Sequence, residues 1–377
     1  MQKILTLTLF ILFLLVLPHR VNAQELQEPP KQEFFKAEVI SIDNEGEKEE
    51  FGFKSIFQDI KVQFLDGAEP GKIISMTNGG MVNITVSQKV AKGDTVILSK
   101  ITNSGPEEKY FIADKYRLDT LPFLLIAFCI LIILIAGKKG IGSLLGLIIS
   151  LLVIFIWIVP NILHGRDPLF ISITGSLVIL FVTTYLAHGV SKQTTVALIC
   201  TFFSLMVTAF LSIFMVNLTR LSGLGSEDAY SLQLGPATAG INLQGLLLGG
   251  IIIGTLGALN DITTTQSATI FEMAKDDARI KFSKLIKKGF LIGREHIVSL
   301  VNTLVLAYAG ASLVVLIFFI LNPAKHPYWV ILNSETIFDE IVRTISGSVG
   351  LILAVPLVTV LAAWYVTRKS YLSSDKP

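Results

Sequence analysis

Seven apolar runs follow Asp119, at about 120–137, 141–163, 168–187, 194–217, 240–259, 297–320 and 343–366, and they decide most of what this chain is able to fold into. Each is long enough to cross roughly 30 Å of hydrocarbon at about 1.5 Å per residue. That layer has no water to satisfy backbone N–H and C=O groups, so the runs must be helices. Of the 377 residues, 52% are hydrophobic and 16% are charged, against about a quarter charged in a soluble domain. The expected fold class is an α-helical membrane protein with about seven transmembrane helices, occupying residues 118–377.

Two segments of different character precede the runs. Residues 1–23, MQKILTLTLFILFLLVLPHRVNA, carry one early Lys and an apolar stretch from Ile4 to Leu17. This is short for a span and suits the core of a signal peptide. Val21 and Ala23 place the expected cleavage after Ala23; an uncleaved anchor leaves the topology downstream unchanged. Residues 33–117 alternate apolar and polar positions, as in FFKAEVISI, FQDIKVQFL and DTVILSKI, between the expected turn sequences DNEGE, DGAEPG, NGG and KGD. Period-two patterning of this kind predicts a small β-rich, barrel-like domain of five or six strands. No aromatic platform or basic stripe accompanies it, so nucleic acid is not an expected partner.

Lys138, Lys139, Lys192, Lys275, Arg279, Lys281, Lys284, Lys287, Lys288, Arg294, Arg368, Lys369 and Lys376 fall in one set of loops; Arg166, Arg220, Lys325 and Arg343 fall in the other. The positive-inside rule assigns the first set to the cytoplasm. Seven spans then put the β domain outside the cytoplasm and the C-terminus inside, in agreement with a secretory signal. Within the longest basic loop, FEMAKDDARIKFSKLIKKGF predicts an amphipathic helix on the membrane surface or a solvated connector. Cys129 and Cys200 sit inside apolar runs without polar neighbours. They read as bystanders; no metal site or cofactor is expected.

The stretch GALNDITTTQSATIFE, residues 257–272, places Asn260, Asp261, three threonines and Gln266 at the edge of an apolar run. Gly250, Gly254, Gly257, Asp261 and Thr265 follow at helical intervals and share one face. Small residues allow a neighbouring backbone to approach, so Gly250, Gly254 and Gly257 are expected to form a close-packing seam, as are Gly347 and Gly350 in the last run. A lipid-facing carboxylate is costly, which makes Asp261, Thr265, Glu295, His296 and Asn302 the candidate polar intramembrane site. The alternative is that Asp261 caps a helix beginning at Ile262. His188 reads as interfacial, and Arg343 near Glu340 as an anchor. Apart from the Thr183–Thr184 pair and a few serines, the first four runs look like nearly plain hydrocarbon, which points to the C-terminal half for any site.

These residues resemble the YibE/F-like family of bacterial polytopic membrane proteins. The resemblance rests on FIADKYR, GKKGIGSLLGL, GRDPLFISI, LGALNDITTTQSATIFE, IGREHIVSLVNTLVLAYAGASL and ETIFDEIVRTISGSVGLILAVPL. It implies an integral protein of the bacterial cytoplasmic membrane and supplies no catalytic residues. Where the family resembles Gly-Arg-Asp-Ile, this chain has Gly293-Arg294-Glu295-His296.

Three classes of function are weighed. The polar, glycine-rich C-terminal runs favour a permease that moves a small solute or ion, because intramembrane ionisable groups line pathways and relays. An envelope accessory or sensor protein, binding another envelope protein through the β domain, accounts better for the signal peptide and that domain. An intramembrane enzyme fits poorly: GALND lacks a Gly-x-Gly-Asp setting, GSVG has the wrong order for a membrane serine protease, and no nucleotide-binding loop follows a strand. Oligomeric state is not legible.

Overall fold

The structure is a computed structural model that describes residues 33–50, 53–67, 69–101, 109–236, 238–277, 279–321 and 325–374. The signal peptide expected over residues 1–23 lies outside the described residues. The chain divides into a β unit within Gln24–Leu131 and a helical unit that includes Ile132–Pro377.

Five strands build the β unit: β1 (Glu33–Glu50), β2 (Phe53–Phe64), β3 (Ile73–Ile84), β4 (Thr95–Ile101) and β5 (Lys109–Lys115). They form one antiparallel sheet in the order β3-β2-β1-β4-β5. Register shifts at Val39/Ser41 and Ile42/Asn44 bend the long β1, as bulges do. The expected turn DNEGE lies within this strand. The sheet curls until β3 and β5 approach each other, giving a half-barrel. Alternate residues Ala37, Val39, Ile60, Val62, Phe64, Val96 and Leu98 fill its concave side, and Phe35, Phe64 and Tyr110 meet edge-on at 5.4–6.3 Å. Buried Gln58 satisfies the loop at Val90 in both directions, donating to its carbonyl at 3.1 Å and accepting from its N–H at 2.9 Å.

Six helices of the described residues are long and apolar enough to cross a membrane. They are α1 (Leu121–Leu163), α2 (Pro168–His188), α3 (Lys192–Thr219), then α5 (Leu243–Asp276), α6 (Phe282–Ala311) and α9 (Glu335–Ser374). Short helices α4 (Glu227–Leu234), α7 (Leu313–Leu321) and α8 (Tyr328–Leu332) lie between them. The first two apolar runs of the sequence together form α1. Its path is broken at Gly137, where φ is 58° and ψ −135°. The break brings Gly140 back against the Ile132 carbonyl, although residues eight apart in a straight helix lie about 12 Å apart.

The boundaries near the basic loop differ from the expectation in a way that matters. α5 continues to Asp276 and α6 begins at Phe282, so the connector shrinks to residues 277–281. Among the described residues of 271–290, the helical ones belong to α5 and α6. The apolar residues of that stretch have a better use: Ile270, Ile280 and Leu285 are buried against Val196, Cys200, Val358 and Ala362.

Helix α5 is the centre of the bundle, packed against α2, α3, α6 and α9. Four polar ties fix its rotation. The Thr184 hydroxyl donates to Asn260 Oδ1 at 2.8 Å, Thr201 and Thr263 share a hydrogen bond at 2.6 Å, and Ser267 donates to the Gln193 carbonyl at 2.9 Å. Buried Gln266 donates to the Gly289 carbonyl and to Thr359 Oγ1, both at 2.8 Å. The first four apolar runs are therefore not plain hydrocarbon. Ser172, Ser176 and Thr184 on α2, and Thr201, Ser204, Thr208 and Ser212 on α3, are all buried. Each hydroxyl is small enough to pack, and Thr201, Thr208 and Ser212 also bond to a carbonyl one turn back.

A Cβ on Gly142 would overlap the Leu186 carbonyl, whereas one on Gly257 would meet nothing within 4 Å. Gly142→Ala is therefore expected to cost about 1–3 kcal/mol through forced separation of α1 and α2. Gly257→Ala should be neutral or stabilising by up to about 1 kcal/mol through helix propensity. Thermal unfolding of the detergent-solubilised chain checks the contrast. For Gln266 and Thr359, a double-mutant cycle of Gln266→Leu and Thr359→Val should give a coupling near 0.6 kcal/mol, the usual value for helix–helix hydrogen bonds in a bilayer, and below about 2 kcal/mol.

Candidate functional site

Around α5, the buried and exposed residues separate cleanly. Ile251, Ile252, Thr255, Leu256, Leu259, Ile262, Thr263, Gln266 and Ile270 are buried, while Gly250, Gly254, Gly257, Asp261 and Thr265 are exposed. The five exposed residues recur every three or four positions, so they form one continuous strip. The central helix of the bundle thus has an open side that carries almost no side-chain bulk and one carboxylate.

The expected seam divides accordingly. On α9, Gly347 is close-packed, its Cβ position lying 2.7 Å from Thr255 Cγ2, and a Cβ on Gly350 would overlap Thr208. Gly250, Gly254 and Gly257 form no seam. A Cβ on Gly250 would stand 3.8 Å from the Arg343 guanidinium, one on Gly254 would stand 3.5 Å from the Tyr308 hydroxyl, and neither meets a backbone. The physical reason is the set of polar ties above, which turn the Ile and Thr face of α5 toward its neighbours and leave the glycine face outside.

Asp261 lies inside the uninterrupted α5, so it does not cap a helix starting at Ile262. Its neighbour Asn260 is bonded to Thr184 of α2. One turn further along α2, His188 lies within electrostatic range of both Asp261 and Lys139. Glu295 and Asn302, together with Ser299, are exposed on α6, which packs chiefly on α9. His296 is half-buried, and its Nδ1 is enclosed without a hydrogen-bond partner. Among the described residues, no hydrogen bond or ion pair joins Asp261 or Thr265 to Glu295, His296 or Asn302. The structure groups the candidates by helix: Asp261 with Thr265 on one strip, and Glu295 with Asn302 on another.

At the far end of the α5 strip stands Arg343. Its Nε lies 3.5 Å from Glu340 Oε2, and its guanidinium lies 6.0 Å from the centre of the Tyr308 ring. From Gly250, beside Arg343, to Asp261 the helix rises about 16 Å. The strip is a track of exposed glycine with a fixed cation at one end and a carboxylate at the other. Such a track lets a small polar species approach the helix axis closely, with opposite charges to orient it. It offers no nucleophile–base pair. Among the described residues, no three His, Cys, Asp or Glu side chains converge to hold a metal ion, and both cysteines are free.

One further contact of the bundle has no counterpart in the sequence reading. The Glu335 carboxylate, at the start of α9, accepts the N–H groups of Ser222 and Gly223 at 2.6 Å and Leu224 at 3.1 Å, plus the Ser222 hydroxyl at 2.9 Å. It clamps the loop after α3 to α9. Partners so far apart in sequence leave no local signal.

Comparison with known proteins found no match among curated proteins and none among solved structures. A family model described as YibE/F-like protein matches residues 124–368. That range takes in all six membrane-length helices nearly whole, and with them the α5 strip and the Glu335 clamp. The chain therefore belongs to the YibE/F-like family.

Proposed function

We propose that this chain is a multi-pass protein of the bacterial cytoplasmic membrane that passes a small solute or ion along the open side of α5. One observation carries the reading. The helix at the centre of the bundle leaves a strip of glycine, threonine and aspartate uncovered, while its apolar face is buried. Lipid is a poor solvent for Asp261, and a peripheral helix would show the opposite arrangement. Water, or a polar solute, suits the strip. By the distribution of Lys and Arg, the end holding His188 and Asp261 faces the cytoplasm and the end holding Arg343 faces out.

The β unit supports a second reading. A cleft of about 530 Å³ opens beside Phe34, Phe35, Phe64 and Tyr110 and is rimmed by Asp66, Glu69 and Lys72. Exposed Phe34 and the charged rim suit an envelope protein as the partner. In that case the helices are an anchor and the chain is an accessory or sensor protein.

Two variants separate the readings in a strain that lacks the chain, scored for growth under acid, metal-ion and osmotic challenge. For a permease, Asp261→Asn should lose at least tenfold in rescue at unchanged membrane abundance, while removal of residues 33–117 keeps most of it. The reverse pattern would establish the β unit as the working part.

A further inference from the structure

Three buried polar atoms without hydrogen-bond partners lie near the start of α9, namely Ser334 Oγ, Asp339 Oδ1 and, from α6, the Tyr308 hydroxyl, and Arg343 Nε has only its ion pair with Glu340. Buried polar groups are nearly always paired, so a local concentration of exceptions points to something they bind. Asp339 is the extreme member, with 8% of its surface exposed.

Its surroundings leave it no ion pair of its own. Glu335 is held as a carboxylate by the N–H groups of the 222–224 loop and offers Asp339 only like charge. Arg343 is engaged by Glu340 at 3.5 Å. From the loop packed against it, Gly225 presents only backbone and lies so near that a Cβ there would overlap the Asp339 carboxylate. Beyond it, Ser226 leads to the acidic Glu227 and Asp228 of α4. α3 ends at exposed Arg220, and it faces α9 here through the uncharged Met215–Ser346 contact. α6 contributes Tyr308. Asp339 and Glu340 thus lie within reach of one guanidinium, Glu340 holds it, and the more buried Asp339 is left over. An unpaired buried carboxylate is neutral or finds a cation, and the described residues provide no three-ligand cluster for a metal ion.

We propose that Asp339 is a proton-binding site of the helical unit, held neutral beside Gly225 and released by a change of partner at Arg343. Asp339 is four residues before Arg343 and Glu340 is three before it, so both carboxylates lie within reach of the same guanidinium. When the Asp339 O–H gives its proton to water, the new carboxylate takes Arg343, and Glu340 is freed toward the solvent. The exchange moves one proton and one side chain, and it also loosens Arg343 from the end of the α5 strip. The site stands on its own packing and does not depend on solute passage along that strip.

Infrared difference spectroscopy on the full chain in liposomes, with carboxyl-labelled aspartate, reads the proton directly. The wild type should show a protonated aspartate carbonyl band at neutral pH that disappears in alkali. Asp339→Asn should lose the band, and Asp261→Asn should keep it. Arg343→Gln removes the charge that favours the carboxylate, so the band should persist to a pH higher by about one unit. A wild type with every aspartate ionised at neutral pH, a band that survives Asp339→Asn, or a titration unmoved in Arg343→Gln would overturn the proposal. The wild-type titration and Arg343→Gln decide it even if Asp339→Asn fails to fold.

Discussion

In a layer without water, a polar side chain has three options: a partner on a neighbouring helix, a carbonyl of its own helix, or a face turned to something wet. The helical unit is organised by how its hydroxyls and amides divide among them. Thr184, Thr201, Ser267 and Gln266 take the first, and each tie fixes the rotation of α5. Thr208 and Ser212 take the second. Asp261 and Thr265 take neither of these and lie on the exposed strip. Each tie is weak, near 0.6 kcal/mol by analogy with other membrane helices. Together with the close contact of Gly347 on Thr255 they favour one rotation of α5 over another, which weak but directional bonds do well.

Much of this architecture is legible in the residues. Period-two alternation marks the β unit, whose buried positions Ala37, Val39, Ile60 and Val62 follow that alternation. Apolar length marks the helices. It misjudges their ends, because Ile270, Ile280 and Leu285 bury themselves outside the apolar runs and draw α5 and α6 toward each other. The boundary between runs one and two, read at 137–141, falls where the backbone of α1 breaks at Gly137.

The candidate site is legible in its parts and not in its arrangement. Helical spacing puts Gly250, Gly254, Gly257, Asp261 and Thr265 on one face, and that geometry is what the structure shows. Whether such a face points inward depends on what the opposite face offers, and Thr255, Thr263 and Gln266 offer more partners. The serines and threonines of α3 at 201, 204, 208 and 212 mark a face by the same spacing rule. They point to α5 only once the two helices are seen together. His188 beside Asp261, and Glu335 on the 222–224 loop, arise between helices, where no periodicity reaches.

The central claim is that the uncovered strip of α5 meets water rather than acyl chains. A nitroxide at position 257, in full-length chain reconstituted in bilayers, tests this through collision with molecular oxygen, which concentrates in lipid, and with a nickel chelate, which stays in water. Collision dominated by the nickel chelate, with the opposite preference at exposed Phe210 of α3 as the lipid-facing reference, is the expected result. Oxygen dominance at both positions would contradict the account.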